Sequence, residues 1–479
     1  MSDKKHKLMG TEKITKLLIQ FSLPAIIGML VNALYNIVDR IYIGNIEEVG
    51  DLAIAGVGIT FPVVVFVFAF SIMIGLGSAT NSSLNLGKKN KPEAERYLGS
   101  AIFFGFLISI ILMIVILGKL DWLVIKLGGS EFTKAYAKDY LKILAYGFPA
   151  AVVGYVANAS IRSDGNPKMA MMTLLIGAIT NIALDPIFIF YFNMGVKGAA
   201  WATIISQYAS GIWALYYFIS DFSGMKLYLK NIKFDISKVK NIVSLGSAPF
   251  AIQIGASLVN YVYNNNLKDY GGDTAIGAMA IVQGIITFVL MPIFGINQGL
   301  QPILGYNYGS RLYGRVREAL FKAIFAATAL CVFDFLTIQF LSKYLIHIFA
   351  KKEELILIAS RGLKIQTFML PINGFQIISS IYFQAIGKPK MSFFMSLTRQ
   401  IIVLVPSIFI MSKMFGVAGI WYAAPVSDFI SFMLTFILIA RELKILKSLL
   451  VKRHRELVRA KVEGKLLEEE EIELRVKVN

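Results

Sequence analysis

Asn181 and Asp185 lie four residues apart in AITNIALDPIFIF (residues 178–190), a segment otherwise made of apolar side chains. Four residues is about one helical turn, so both side chains project from one face. The apolar stretch around them is long enough to cross a membrane, where a carboxylate costs about 2.5–3.5 kcal/mol on insertion scales and is usually functional. Asp39, in LVNALYNIVDRIYIG, is the one other acid of the N-terminal half in a comparable setting. With Asn32 and Asn36 it forms a polar stripe at spacings of four and three, while Arg40 must point elsewhere. Burial disfavours a lone negative charge and two nearby acids repel, so this pair suits a proton or a bound cation. Pro186, directly after Asp185, frees a carbonyl from the helical ladder and adds a polar group there. The bland alternative makes them structural polar groups satisfied by neighbouring helices, with Asp39 and Arg40 a charge pair snorkelling near a helix end.

The elements that must position these residues follow from composition. The chain has 479 residues, 56% hydrophobic and only 16% charged, with a mean hydropathy of +0.65. A soluble protein carries nearer 25% charge, and the apolar residues here fall in blocks of about 20 or more, the length of a membrane-spanning helix. Twelve spans are expected, near 17–43, 53–83, 97–118, 138–161, 170–192, 198–219, 245–266, 274–305, 320–345, 359–384, 392–413 and 418–440. The net charge of +18 resides in short connectors and both tails, which is the pattern of orientation signals facing anionic lipid and argues against a nucleic-acid partner. Connectors after even-numbered spans are the more basic, with Lys88, Lys89 and Lys91 after the second and Arg311, Arg315 and Arg317 after the eighth, so both termini are expected on the cytoplasmic side of the cell membrane. The N-terminus MSDKKHKLMGTEKITK has no signal-peptide pattern.

Internal repetition sets the architecture. GDLAIAGVGI (50–59) returns as GDTAIGAMAI (272–281), GNPKM (165–169) as GKPKM (387–391), and Pro149 as Pro371, all at a spacing of 222 residues. Pro24 pairs with Pro249, and GVKGAAWATIIS (195–206) with GVAGIWYAAPVS (416–427). The expected fold is an all-α polytopic membrane protein, twelve transmembrane helices in two six-helix lobes related by a pseudo-twofold axis along the membrane normal. The lobes are drawn as 1–219 and 245–440, joined by a polar, basic linker (220–244) containing a short surface helix and followed by a charged tail (441–479).

Other polar residues give weaker signals. Asp334 and Asp428 sit among apolar and aromatic neighbours of the second half, and Arg399 has no partner evident in sequence and reads as a charge near the end of its span. The stretch VLMPIFGINQGLQPILGYNYGSR (289–311) is rich in Gly, Asn and Gln, and fits a bend or close helix packing as well as binding. Cys331 is the single cysteine, which excludes an internal disulfide, and His6, His347 and His454 lie in tails or a connector without a metal or catalytic cluster. Nothing marks an enzyme, and no organic cofactor is expected.

The pieces PAIIGMLVNALYNIVDRIYIG, NIALDPIFIF, GVKGAAWATIISQ and INQGLQPILGYNYGSR, in that order and spacing, resemble the MATE (multidrug and toxic compound extrusion) family from about Thr15 to Arg441. The last piece, with SLTRQ, resembles its MepA-like bacterial branch. The resemblance implies a two-lobed exporter of bulky lipophilic, often cationic compounds, alternating between inward- and outward-open states and driven by H⁺ or Na⁺. It implies a cation site at Asp39, Asn181, Asp185 and Thr203, a helix bend at Pro24, and no metal beyond a Na⁺ at that site. Family acids on the seventh and tenth spans are missing here: Asn264 stands on the seventh, and the tenth has none.

Substrate-cavity candidates are Tyr35, Asn36, Phe61, Met73, Asn158, Gln253, Asn260, Asn264, Gln283 and Met291, since Met and aromatic linings suit varied apolar compounds. The expected partners are drug-like small molecules and the bilayer, with the chain acting as a monomer. The alternative is a lipid-linked oligosaccharide flippase-like exporter of the same superfamily, which would ask for several cavity arginines. Only Arg40, Arg162 and Arg399 are available.

Overall fold

The structure is a computed structural model that describes residues 2–47 and 49–462. A short N-terminal helix, Ser2–Thr11, precedes the first span, Ile14–Gly44. The first half continues with Gly50–Gly87, Lys91–Gly118, Lys134–Ser163, Pro167–Tyr191 and Val196–Ile219, and a small helix, Leu120–Lys126, links the third and fourth spans. Spans seven to nine are Ile236–Gly272, Thr274–Gly309 and Tyr313–His347. The tenth is broken into Glu353–Gln366 and Leu370–Ala385, bent by 54°, and Pro389–Phe415 and Val417–Val462 complete the set. The break falls just before Pro371, which has no N–H to continue the ladder. Ten of these helices are individually long and apolar enough to span, and the bent pair together makes an eleventh. Val196–Ile219, with 24 residues and therefore about 36 Å long, stands where the sixth span is expected.

The repeat is written into the backbone as well as the sequence. Gly165 and Gly387 follow the fourth and tenth spans with φ of 84° and 80°, and each is followed two residues later by a proline in the first turn of the next helix. Lys89 and Arg311, also 222 residues apart, take φ of 59° and 60°. Gly272 (φ 64°) turns the chain from the seventh span straight into the eighth, which only a residue lacking Cβ does without strain.

The chain divides into two compact units, and the division does not follow the simple halves. The first takes in residues up to Leu8 and Leu23–Phe250, the second Met9–Ser22 and the chain from Ala251 onward. The first and seventh spans are thus each shared between units, and the handovers lie beside Pro24 and Pro249, the matched prolines. Glycines make the close approaches. A Cβ on Gly77 would run into the Ile242 carbonyl within the first unit. Its repeat mate Gly299 would place one 2.6 Å from the Ser22 nitrogen within the second. Small residues at such crossings are what lets helices pack by van der Waals contact in lipid.

Residues 220–235 of the linker hold one short 3₁₀ turn, Leu229–Asn231, and residues 236–244 form the first turns of the seventh-span helix. Acids of the first unit order the linker backbone: Asp164 accepts from Gly224 N at 2.6 Å and Met225 N at 2.7 Å, and Glu95 from Lys226 N at 2.9 Å. Asp164 also accepts from Tyr217 Oη at 2.7 Å and pairs with His6 Nε2 at 2.9 Å, so His6 is a packing residue rather than an idle tail residue. At the other end the twelfth span runs on past Arg441 to Val462, while the acidic run Glu468–Glu471 lies outside the described residues.

Candidate functional site

Two spans set the register of the site. Gly28 on the first span meets Leu174 on the fifth so closely that a Cβ would lie 2.6 Å from Leu174 Cδ1. Eleven residues further along each helix, about three turns and so on the same faces, stand Asp39 and Asp185. The two carboxylates come within hydrogen-bonding reach of each other. Asn181 Nδ2 donates to Asp185 Oδ1 at 3.2 Å, one turn apart as the spacing requires. Directly after Asp185 and Pro186 the helix widens into a π segment, Ile187–Tyr191, the local consequence of a residue that cannot donate. Gly198 at the start of the sixth span packs against the Phe188 carbonyl of that segment, which brings Thr203 alongside.

All these groups belong to the first unit, and the acids are withdrawn from the surface: Asp39 is 9% exposed, Asn181 1% and Asp185 0%. Arg40 is exposed, and its charge acts on the neighbouring Asp39. Asp39 Oδ1, Asn181 Oδ1 and Asp185 Oδ2 are buried with no hydrogen-bond donor from the protein. Three orphaned oxygens, two from carboxylates, form an acceptor set without donors. Two carboxylates share a short contact comfortably only with a proton or a cation between them, because like charges in a low dielectric repel strongly. The donor chemistry therefore fits either H⁺ or a hard monovalent cation.

Sequence reasoning missed Tyr140. It projects from the fourth span and lies within interaction range of Thr203, Asp39, Asp185 and Tyr35. Its signal was faint, because Tyr140 sits in the polar start of its helix among Lys138, Asp139 and Lys142. Tyr35, put forward as a cavity residue, stands one turn before Asp39 and in range of both acids. A buried core that includes Ile43, Val67, Leu144, Phe148 and Ile189 borders the site.

The cavity candidates are scattered in their environments. Met73 is buried, and Asn158 is buried with its amide N–H donating to the Ala170 carbonyl at 2.7 Å and its oxygen accepting from Arg162. Phe61, Asn36, Asn260 and Asn264 are exposed, while Gln253 and Met291 are half-buried. Gln283 is half-buried with its amide 3.6 Å from Met279 Sδ. In the second unit Arg399, read from sequence as a charge without a partner, pairs with Asp428 at 2.9 Å.

Known proteins carry the same frame. Multidrug export protein MepA of Staphylococcus aureus (strain bovine RF122 / ET3-1) is 25% identical over 428 residues, covering 89% of this chain and 94% of that protein. MepA of Staphylococcus haemolyticus (strain JCSC1435) is 25% identical over 429 residues with the same coverage. Among solved structures, MATE in the bent conformation superposes with a TM-score of 0.87 at 23% identity, over 93% of this chain and 98% of that one. MATE in the straight conformation gives 0.86 at 22% identity, over 92% and 98%. The family model described as MatE matches residues 24–187 and 250–410, more than half of the chain and both members of the acid pair. On that match the chain belongs to the MatE family.

Proposed function

We propose that this chain is a secondary active multidrug exporter of the cell membrane, coupling outward movement of bulky lipophilic, often cationic compounds to inward movement of H⁺ or Na⁺. The observation that carries this reading is the Asp39–Asp185 contact, a buried acid pair whose remaining oxygens have no protein donor. Support for the cargo comes from the relatives, which are named multidrug export proteins.

The coupling follows from elementary electrostatics. An empty, fully ionised pair is disfavoured, so the conformation that brings the acids together is favoured by an arriving cation and the one that separates or hydrates them by its departure. Asp39 lies on a helix whose start, up to Ser22, is grouped with the second unit and whose remainder is grouped with the first. A rearrangement at Asp39 is therefore felt along a helix that both units share, and Pro24, beside the handover, is where that helix gives most easily. One charge entering across 100 mV supplies about 2.3 kcal/mol, enough for roughly a fiftyfold gradient of an uncharged cargo. One-for-one exchange with a monocation is electroneutral and is driven by the ion's concentration gradient. Both termini are taken to be cytoplasmic, in keeping with the basic connectors.

The test is ion flux in proteoliposomes loaded with ethidium, with an H⁺ gradient and a Na⁺ gradient imposed separately. One gradient should drive ethidium uphill and ethidium should accelerate its dissipation. Equal transport with neither gradient would overturn coupling.

A further inference from the structure

The twelfth-span helix outlasts the membrane, and its extension carries a face that the coupling scheme does not use. From Val417 to Ala440 the helix rises about 36 Å, which already exceeds the ~30 Å hydrocarbon core. It then continues as one helix to Val462. One side of that extension is packed: Glu442, Leu446, Leu450 and Leu457 are buried, at spacings that keep them on one face. The opposite side holds Arg441, Lys444, Ser448, Lys452, Arg455 and Arg459, all exposed and spaced by three or four residues, so they form a single straight stripe. None of its five cations has a carboxylate partner among the described residues; the two acids of this stretch are engaged elsewhere, Glu442 with Lys388 and Glu456 with Arg453.

Such a stripe is costly when bare. Like charges one turn apart destabilise a helix, and Arg441/Lys444, Lys452/Arg455 and Arg455/Arg459 are three such pairs. The helix dipole favours cations only in the last turn, which accounts for Arg459 and not for the four before it. Anionic lipid can meet Arg441 and Lys444, which stand beside the span. It does not meet the far end, since Arg455 and Arg459 lie about 21 and 27 Å from Arg441 along the axis. At an ordinary tilt of about 20° they stand about two Debye lengths, each ~8 Å, from the headgroups.

We propose that this stripe is the docking surface for the chain's own acidic tail, residues 463–473. The sequence there is EGKLLEEEEIE, six glutamates against one lysine, and it lies outside the described residues. Chain length allows the return. Glu468 follows Val462 by six residues, a reach of about 20 Å when extended, and Lys452 lies about 15 Å back along the helix from Val462. Tethering supplies an effective concentration in the millimolar range, so ion pairs that are individually weak at an exposed site add into a populated contact. A docked tail cancels the repulsion along the stripe where the bilayer is too far away to do so. The inference needs only that the twelfth span crosses the membrane, and it does not depend on the exporter reading.

The experiment is zero-length carbodiimide cross-linking of the full chain in lipid nanodiscs, with the joined peptides identified by mass spectrometry. Carbodiimide joins a lysine amine to a carboxylate only where the two touch, so Lys444 and Lys452 should be found joined to Glu468–Glu471 within one chain. Two controls separate docking from the mere nearness of a tethered tail. Raising NaCl from about 0.1 M to about 1 M, which shortens the Debye length from about 10 to about 3 Å, should cut the yield severalfold. Arg455→Gln with Arg459→Gln should also cut it severalfold, although both lysines remain. A yield unmoved by salt and by the double variant overturns the proposal. So does a link that forms only between isotope-labelled and unlabelled chains in a mixed sample, which would make a second copy the occupant. Replacing phosphatidylcholine nanodiscs with phosphatidylglycerol ones should leave the Lys452 link in place; its loss there would make the bilayer the occupant instead.

Discussion

Asp185→Asn is the substitution that presses hardest on the proposed coupling. Asparagine keeps the shape of the side chain and its oxygen can still accept the 3.2 Å bond from Asn181 Nδ2. Its new N–H₂ can donate to Asp39, whose Oδ1 lacks a partner. Exchanging one carboxylate of a crowded pair for an amide therefore costs stability little, within about 1 kcal/mol of zero. The effect on coupling is far larger, because the pair can then neither share a proton nor offer two charges to a cation. In inverted vesicles given a roughly fiftyfold gradient of the coupling ion, the roughly fiftyfold ethidium accumulation that an electroneutral one-for-one exchange sustains should fall to about unity. Asp39→Asn should do the same, and the double variant should be no worse than either single one, since both groups serve one binding event. A folded Asp185→Asn protein that still accumulates ethidium to the wild-type ratio would refute the argument.

Further outcomes can be stated more briefly. Pro24→Ala supplies an N–H to a helix interior, so it should raise the Tm while slowing initial ethidium efflux severalfold; an unchanged rate would remove the bend from the cycle. Gly299→Ala puts a methyl 2.6 Å from the Ser22 nitrogen and should cost about 1–3 kcal/mol in denaturant or thermal unfolding, whereas Gly284→Ala on the same span, with nothing within 4 Å, should be near neutral. Asp164→Asn leaves donors from Tyr217, Gly224, Met225 and His6 competing for a single oxygen, and a loss of about 1–3 kcal/mol should appear as early proteolysis of the 220–235 linker.

Much of this was legible in the chain because membranes impose blunt rules. Hydropathy blocks located the helices, and the 222-residue repeat returns in the backbone as the positive-φ pairs Gly165/Gly387 and Lys89/Arg311. The Asn181–Asp185 spacing forecast its own hydrogen bond, since one helical turn fixes that geometry locally. The failures concern contacts between distant segments. Nothing in KAYAKDYLKIL announces that Tyr140 reaches Thr203, because the phenol sits among charges and looks solvated. Arg399 and Asp428, 29 residues apart on different spans, look like isolated oddities until the spans are packed. The linker reads as a surface helix because its acidic anchors, Glu95 and Asp164, lie far upstream.

Duplication copied the scaffold and left the chemistry free to diverge, and the energetics suggest why. Turn glycines and crossing glycines are constrained in both halves by backbone geometry, as Gly77 against Ile242 and Gly299 against Ser22 illustrate. Buried charges have no such backbone anchor, and each half keeps only what some compensating group can neutralise. In the first unit Asp39 Oδ1 and Asp185 Oδ2 are buried without a protein donor, and Arg40, whose charge acts on Asp39, is itself exposed. On the proposed coupling, neutralisation there comes from solution and occupancy can change. In the second, Arg399 supplies a resident countercharge, so Asp428 can stay buried while nothing is bound. A transporter built this way holds one half ready for an exchangeable cation and the other in an internally balanced state. The two halves should then differ under mutation: Asp428→Asn leaves Arg399 without its countercharge and should cost about 1–3 kcal/mol in thermal unfolding, whereas Asp185→Asn should cost little. An Asp428→Asn protein as stable as Asp185→Asn would mean that Arg399 is not the countercharge that keeps Asp428 buried.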